Sequence, residues 1–322
     1  MKIGIDLLGA DDKQNIINFI NKFSDNEVEV FAYGLEEDLS LITNNNIIKV
    51  LCREEVFISD DPARVHRKKK DSSMVKMLED LKVGKIDVSI SAGSTGAYMA
   101  SGLFILGRIE GVARPALATM LPTASKHKFL LTDLGANVEA KPEDLLNYLR
   151  LANIYMKNIY SIPNPSSALI NIGHEENKGS KLYKDSYKLL KENVSNFKGN
   201  LEARNILEHN YDIVISDGFS GNILLKTIEG VALSLGGMLK SIFLSSFLSK
   251  MSALIIRKEL KEFKRKFDYS EYGGAVLLGL KNPAIKIHGS ADEKAVYYAV
   301  QQAKNIHKTR LYDKMVEEFK GE

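Results

Sequence analysis

The sequence predicts an α/β fold built on a largely parallel sheet. Short apolar runs alternate with helix-like runs along the chain, the pattern of strand–helix–strand units. Two small, Gly/Ser-rich turns each follow an apolar run and open an apolar-periodic helix. Of the 322 residues, 44% are hydrophobic and 26% charged, so a large core is available.

In order, the strand-like runs are Lys2–Leu7, Val28–Tyr33, Ile47–Leu51, Asp87–Ile90, Ala116–Leu121, Phe129–Thr132, Ala168–Ile172, Asp212–Ser216 and Ile285–His288. Helix-like runs fall at Ser72–Val83, Thr95–Leu106, Glu143–Asn158, Lys181–Glu192 and Asp292–Ile306. Asp71 before Ser72, and Lys141-Pro142 before Glu143, are good helix starts. The Pro163-Asn164-Pro165 turn leads straight into another strand, so residues 1–322 read as one domain. Met1–Leu8 reads as a strand, and no signal peptide is expected. The single cysteine, Cys52, excludes an internal disulfide and fits a reducing cytosol. A net charge of +3 is too mild to argue for nucleic acid.

The two turns are Ser91-Ala92-Gly93-Ser94-Thr95-Gly96-Ala97 and Asp217-Gly218-Phe219-Ser220-Gly221-Asn222. A strand ending in such a turn aims backbone N–H groups from a helix start at whatever sits there, a geometry suited to phosphate. Ser91, Gly93, Ser94, Thr95, Gly96, Asp217, Gly218, Ser220 and Asn222 are therefore candidates for holding a phosphate or oxyanion. Lys178 lies in a loop after the Ala168–Ile172 strand, where a side chain can reach a ligand crevice. There it stabilises an oxyanion or holds phosphate; otherwise it is a solvated loop lysine. His174 in the same loop is an acid or base on similar terms. Asp6, Asp11 and Asp12 cluster with Gly9 after the first strand, to bind a cation or to position a helix. Asp71 and Ser72 read first as a helix cap. The basic run Arg64, Arg67, Lys68, Lys69 and Lys70 is a solvated face, or it docks an acidic partner or steers an anion.

No G-x-G-x-x-G follows a strand, the span Gly173–Lys181 does not fit a P-loop, and G-x-S-x-G, H-E-x-x-H and paired C-x-x-C are absent. No cofactor and no metal are expected, and no covalent nucleophile stands out. A bound anion attacking an activated acyl group needs none. Val231–Ile256 is strongly apolar, broken only by Lys240, Lys250 and many serines. At helical spacing Leu235, Leu239, Ile242, Phe243, Phe247 and Met251 share roughly one side, and the basic run Lys258–Lys266 follows. That reads as an interfacial helix pair, or as a hairpin packed on the core or on a dimer partner.

These residues resemble the bacterial phosphate acyltransferase family of phospholipid synthesis, the PlsX family. The matching stretches begin with Arg67–Val75, Ser91–Ala97, Gly102–Ile109, Arg114–Ala118, Leu121–Thr123 and Asp133–Val138. They continue with Asn171–Gly173, Lys178-Gly179, Asp217–Asn222, Tyr272–Ala275 and His288–Ser290. The resemblance implies a three-layer α/β/α fold like that of isocitrate and isopropylmalate dehydrogenases, with a protruding amphipathic helix pair. It implies transfer of a fatty acyl group from acyl–acyl carrier protein to inorganic phosphate. It also implies a homodimer, peripheral attachment to an anionic membrane from the cytoplasm, and hand-over of acyl phosphate to a membrane glycerol-phosphate acyltransferase. The family's important lysine maps onto Lys178. Its membrane-contacting region maps onto 231–266, with Ile242, Phe243, Phe247, Leu248 and Met251 as contacts. Asn222 orients phosphate in this reading. The chain departs from the family in its opening, Asp6-Leu7-Leu8-Gly9-Ala10-Asp11-Asp12-Lys13, which lacks the usual histidine and proline, and in Ser180-Lys181 after Lys178-Gly179. An acyl-coenzyme A donor, or an inactive membrane-associated paralogue, are the alternatives.

Overall fold

The computed structural model describes residues 1–125, 127–266, 271 and 273–320, with the side chains of 262–266 outside the description. The strands are β1 (Lys2–Asp6), β2 (Glu29–Gly34), β3 (Ile48–Leu51), β4 (Val88–Ser91), β5 (Ala116–Pro122) and β6 (Lys128–Thr132). They continue as β7 (Ser167–Asn171), β8 (Phe197–Glu202), β9 (Ile213–Ile215), β10 (Ala275–Leu278) and β11 (Ala284–Lys286). The helices are α1 (Lys13–Lys22), α2 (Glu36–Ser40), α3 (Val65–Lys68), α4 (Ser73–Lys82), α5 (Thr95–Ile105) and α6 (Pro142–Ile159). After these come α7 (Lys181–Asn193), α8 (Gly218–Leu244), α9 (Phe247–Ile255), α10 (Arg257–Lys266), α11 (Glu293–Lys308) and α12 (Leu311–Lys320).

All strands join one sheet in the order β3-β2-β1-β4-β11-β10-β5-β6-β9-β7-β8. Its two flanks, β3-β2-β1-β4-β11 and β6-β9-β7-β8, are each parallel. Antiparallel steps from β11 to β10, β10 to β5 and β5 to β6 join them. Those three reversals set the flanks running in opposite senses. A strand twist of about 20–25° per step then rotates β9 by roughly 100° or more relative to β4, so the flanks meet as two angled halves. Every residue of β4, β7 and β9 is buried, the mark of a sheet covered on both faces.

The predicted strands and helices all form, with ends shifted by a residue or two. Elements not foreseen are β8, β10, α1, α2, α3 and α12. β8 reads Phe-Lys-Gly-Asn-Leu-Glu, a sequence with little strand propensity that pairs at the sheet edge beside β7. α1 buries Ile16, Ile17, Phe19 and Ile20 on one side of an otherwise polar run. The apolar region needs a correction. α8 starts in the Asp217 turn and runs unbroken through Val231 to Leu244. It stops at Ser245-Ser246, where Ser246 Oγ accepts from Ser249 N at 3.1 Å and caps α9. Phe247, Leu248 and Met251 thus lie on a different helix from Ile242 and Phe243, and no single helical face carries them all. By length and composition α8 could cross a membrane, with a mean hydropathy of 1.3 over its most apolar window, none of it buried.

Candidate active site

The first turn closes β4. Ser91 Oγ donates to Asp6 Oδ2 at 2.7 Å and accepts from Gly93 N at 3.1 Å. Asp6 ends β1, and its Oδ1 accepts from Leu8 N at 3.0 Å. Ser73 at the start of α4 also bonds this carboxyl, while Ser72 before it caps the helix by accepting from Val75 N. Burial pushes the Asp6 carboxyl up to about 6 against the pull of these donors. The β1 and β4 loops touch backbone to backbone: a Cβ on Gly9 would lie 2.5 Å from Gly93 Cα. Beneath them the buried Lys286 ammonium donates to Ala92 O at 3.0 Å and to Ile287 O. Burial brings it down to about 8, opposed by the Asp6 charge. Ser94 Oγ caps α5 by accepting from Ala97 N at 3.4 Å. The next two residues, Thr95 and Gly96, are exposed, and among the described residues their amides donate to no protein acceptor.

The second turn closes β9. Asp133, buried after β6, accepts from Leu117 N (2.9 Å), Ala136 N (3.0 Å), Asn137 N (2.7 Å) and Asn137 Nδ2 (3.0 Å). Burial still raises its carboxyl to about 6. Asn137 O accepts from Gly218 N at 3.0 Å, Asp217 Oδ1 from Ser220 N at 2.9 Å, and Asp217 O from Gly221 N at 2.9 Å. Gly218 has no room for a side chain, since a Cβ there would lie 2.6 Å from Asn137 O. Asn222 is exposed one residue further, alongside Gly135.

Asn171 braces the Lys178 loop from within, and Tyr183 links it to this second turn. Asn171 Nδ2, at the end of β7, donates to Lys178 O at 3.2 Å. Tyr183 packs against Gly179 and donates from its hydroxyl to Asp217 Oδ2 at 2.5 Å. The Lys178 ammonium is half-exposed, with Glu175 Oε1 at 3.7 Å as its nearest carboxylate. His174 faces Glu202 Oε2 at 3.7 Å and the Asn200 carbonyl, on the β8 side of the loop. α8 joins the two halves. Its Lys226 and Glu229 act electrostatically on His288, which follows β11; burial first and Lys226 second hold that imidazole below its ordinary value. Asp11 N donates to Gly289 O at 2.8 Å, fixing the same loop.

The comparisons with known proteins agree over the whole length. A family described as "Fatty acid synthesis protein" matches residues 1–314. A Staphylococcus haemolyticus protein named phosphate acyltransferase is 46% identical, covering 100% of this chain and 99% of its own. A Bacillus pumilus protein of the same name is 48% identical over 95% of this chain and 94% of its own. The chain belongs to the PlsX family of phosphate acyltransferases. Its fold is similar to that of a Streptococcus pyogenes phosphotransacetylase, with a TM-score of 0.60 at 16% identity, covering 95% and 94% of the two chains.

Within this phosphate acyltransferase, the structure gathers Asp6, Ser91, Gly93, Ser94, Thr95 and Gly96 at one turn. It gathers Asp217, Gly218, Ser220 and Asn222 at the other, with the Lys178 loop tied to Asp217 through Tyr183. The two turns differ from expectation in one respect. The amides of Gly218 and Ser220 already have protein acceptors and Asp217 brings its own carboxylate to the helix start, while the Phe219 amide has no protein acceptor among the described residues. Asp71 is removed from both turns; it pairs with Lys76 and accepts from Arg53 N and Glu54 N through its carbonyl. Among the basic residues, Arg64, Arg67, Lys68 and Lys70 are exposed, but Lys69 is occupied by Asp60 Oδ2 at 2.6 Å and Glu55 O at 2.7 Å. Sequence reasoning missed Ser73, Asp133, Asn137, Tyr183, Lys286 and His288. Ser73, Asp133, Asn137 and His288 lie in stretches that matched the family, a usable signal; a lone Tyr and Lys in ordinary elements gave none. Two open clefts, one lined by Arg150, Asn158 and Lys314 and one by Phe19, Lys22 and Tyr297, touch neither turn. Tyr272 and the basic side chains of 262–266 lie outside the described residues.

Proposed function

We propose that this acyltransferase takes a fatty acyl group from an acyl–acyl carrier protein thioester and passes it to inorganic phosphate. The open amides of Thr95 and Gly96 at the start of α5 carry this reading. They supply two N–H donors and the positive end of a helix where a phosphate dianion can rest. A phosphate oxygen attacks the thioester carbonyl carbon, and a tetrahedral oxyanion forms. The carbon–sulfur bond then breaks, and the carrier thiolate leaves to take a proton from solvent. Lys178 neutralises the oxyanion and Asn222 orients the phosphate. Because the thioester is already activated, positioning and electrostatics suffice for the step.

Arg67, Lys68 and Lys70 are the docking charges for the acidic carrier, with Arg64 paired to Asp61 and Lys69 acting within the protein instead. Binding accordingly weakens as salt rises. The exposed apolar residues of α8 and α9 support peripheral attachment to an anionic membrane from the cytoplasm, or contact with a second copy in a homodimer. In this reading the two helices protrude from a dehydrogenase-like three-layer body. Lys226, Glu229 and Lys240 along α8, and its anchoring at Gly221, favour a surface position over a spanning one. The product then passes to a membrane glycerol-phosphate acyltransferase. Exchange of Phe243 and Phe247 for Glu releases the protein from anionic vesicles in co-sedimentation; unchanged pelleting removes the membrane reading.

The test of function is incubation with long-chain acyl–acyl carrier protein, with and without phosphate. Thiol release that requires phosphate and yields acyl phosphate supports the proposal. Release only from acyl-coenzyme A selects the alternative donor.

A further inference from the structure

The loop between β3 and α3 is tightly held yet displays apolar side chains. Asp60 Oδ2 accepts from Phe57 N at 2.7 Å, and Phe57 O accepts from Asp60 N at 3.1 Å. Lys69 ties both ends, bonding Asp60 and the Glu55 carbonyl and standing 4.5 Å over the Phe57 ring. Despite this order, Ile58 is 92% exposed and Phe57 55%. In α3, His66 stacks on Phe104 of α5 at 4.3 Å, and Phe104 is itself 53% exposed. Exposed apolar side chains thus contact both His66 within α3 and Lys69 directly after it.

The charges around this patch are unequal. Asp60 is taken by Lys69, Asp61 by Arg64 at 3.1 Å, and Asp71 by Lys76. Arg67, Lys68 and Lys70 are exposed and meet no carboxylate among the described residues. Glu54 and Glu55 of the same loop are partly buried and in no ion pair among the described residues, which leaves the three exposed cations a small positive excess that favours an acidic partner. The patch also abuts the open start of α5: a Cβ on Gly96 would lie 3.3 Å from Pro62 Cγ.

We propose that Phe57, Ile58 and Phe104 are the apolar anchors on which the acidic carrier protein lands, with Arg67, Lys68 and Lys70 as the charged rim. The inference rests on the reading that the donor is carrier-bound. Apolar anchors inside a polar rim carry most of the affinity of a protein interface. Anchors held by a rigid loop lose little freedom when covered. A carrier seated there would place its acyl-bearing arm at Thr95 and Gly96.

The test uses the full-length enzyme and steady-state kinetics with long-chain acyl–acyl carrier protein, varying carrier and phosphate separately. Ile58→Asp and Phe57→Asp each raise the KM for the acyl carrier by about tenfold or more, with the KM for phosphate and kcat unchanged. Lys68→Glu with Lys70→Glu raises the same KM and flattens its salt dependence. An unchanged carrier KM in all three overturns the landing site while leaving the donor reading intact. A rise in the phosphate KM equal to that of the carrier also overturns it, because the substitutions then act through α5. Loss of binding to anionic vesicles by Ile58→Asp with an unchanged carrier KM assigns the patch to lipid instead. If the unmodified enzyme releases no thiol from acyl carrier at all, the donor reading itself fails.

Discussion

α5 and α8 begin with the same kind of small-residue turn after a buried strand, yet their first amides are used differently. At α5 the cap is Ser94, a neutral hydroxyl, and the amides of Thr95 and Gly96 stay open. At α8 the cap is Asp217; its amides Ser220 and Gly221 bond the cap as Ala97 and Tyr98 do at α5, Phe219 N stays open like Gly96 N among the described residues, and the difference is Gly218 N, which is bound to Asn137 O. A neutral cap leaves the positive end of the helix available to an outside anion, whereas an aspartate fills it with an inside one. Under the proposed function the contrast favours α5 over α8 as the phosphate-binding helix start, while α8 carries Asn222 and Tyr183 ties Asp217 to the Lys178 loop.

Removing the charge beside α8 gives the largest effect. Lys178→Ala lowers kcat by about 100- to 1000-fold, the usual loss when an oxyanion-stabilising group is deleted. Its exposed contact with Glu175 contributes at most about 1 kcal/mol, so the melting temperature hardly moves. A fully active, folded Lys178→Ala enzyme would take α8 and its neighbours out of the chemistry. Next in size, Gly221→Ala drives a methyl group into the Asp133 carbonyl and Ser216 Oγ. It destabilises by about 3 kcal/mol or more in denaturant unfolding. Gly93→Ala at the other turn meets first the mobile end of Met74, at 2.8 Å, and costs about 1 kcal/mol. Equal losses at the two glycines would erase the distinction between a rigid and a yielding turn.

The pH dependence of stability sharpens the same comparison. Asp6 holds its proton to about pH 6 in the folded protein and to about 3.8 when unfolded. Between those values the folded state binds more protons, so this group's contribution is full below about pH 4 and is lost as pH rises through 6. Asp6→Asn removes that loss, on the order of 3 kcal/mol at most, and flattens the profile between pH 4 and 6 relative to the parent. Superimposable parent and variant profiles would contradict a desolvated Asp6. The smallest effect belongs to Asp217→Asn, which keeps the cap geometry without the charge. Stability falls by about 1 kcal/mol or less, and the phosphate KM stays within about twofold of the parent or drops. A large rise would return α8 to the phosphate site.

The alternation of apolar runs made the parallel flanks legible, because β7 and β9 are buried on both faces and are mostly apolar, while β1 and β4 keep branched apolar residues at alternate positions with small or capping residues between. β8 was hidden because edge pairing, not propensity, makes it a strand, and α1 because four buried side chains suffice to dock a polar helix. At the site, turn composition located both helix starts. It could not distinguish an open amide from a capped one, since that depends on Asn137, which reaches Gly218 from another strand end. Lys286 was illegible for a related reason: only the pairing of β11 with β4 brings its ammonium under Ala92.

The most direct test of the central claim is the phosphate KM of Thr95→Pro beside that of Thr95→Ala. Proline is tolerated at the first position of a helix, so α5 survives while one open N–H is deleted; Thr95→Ala keeps that N–H. The account predicts a KM for phosphate raised by about tenfold or more in Thr95→Pro alone, the loss expected for one hydrogen bond to a charged group. A folded Thr95→Pro enzyme with the phosphate KM of Thr95→Ala would contradict the assignment of phosphate to α5.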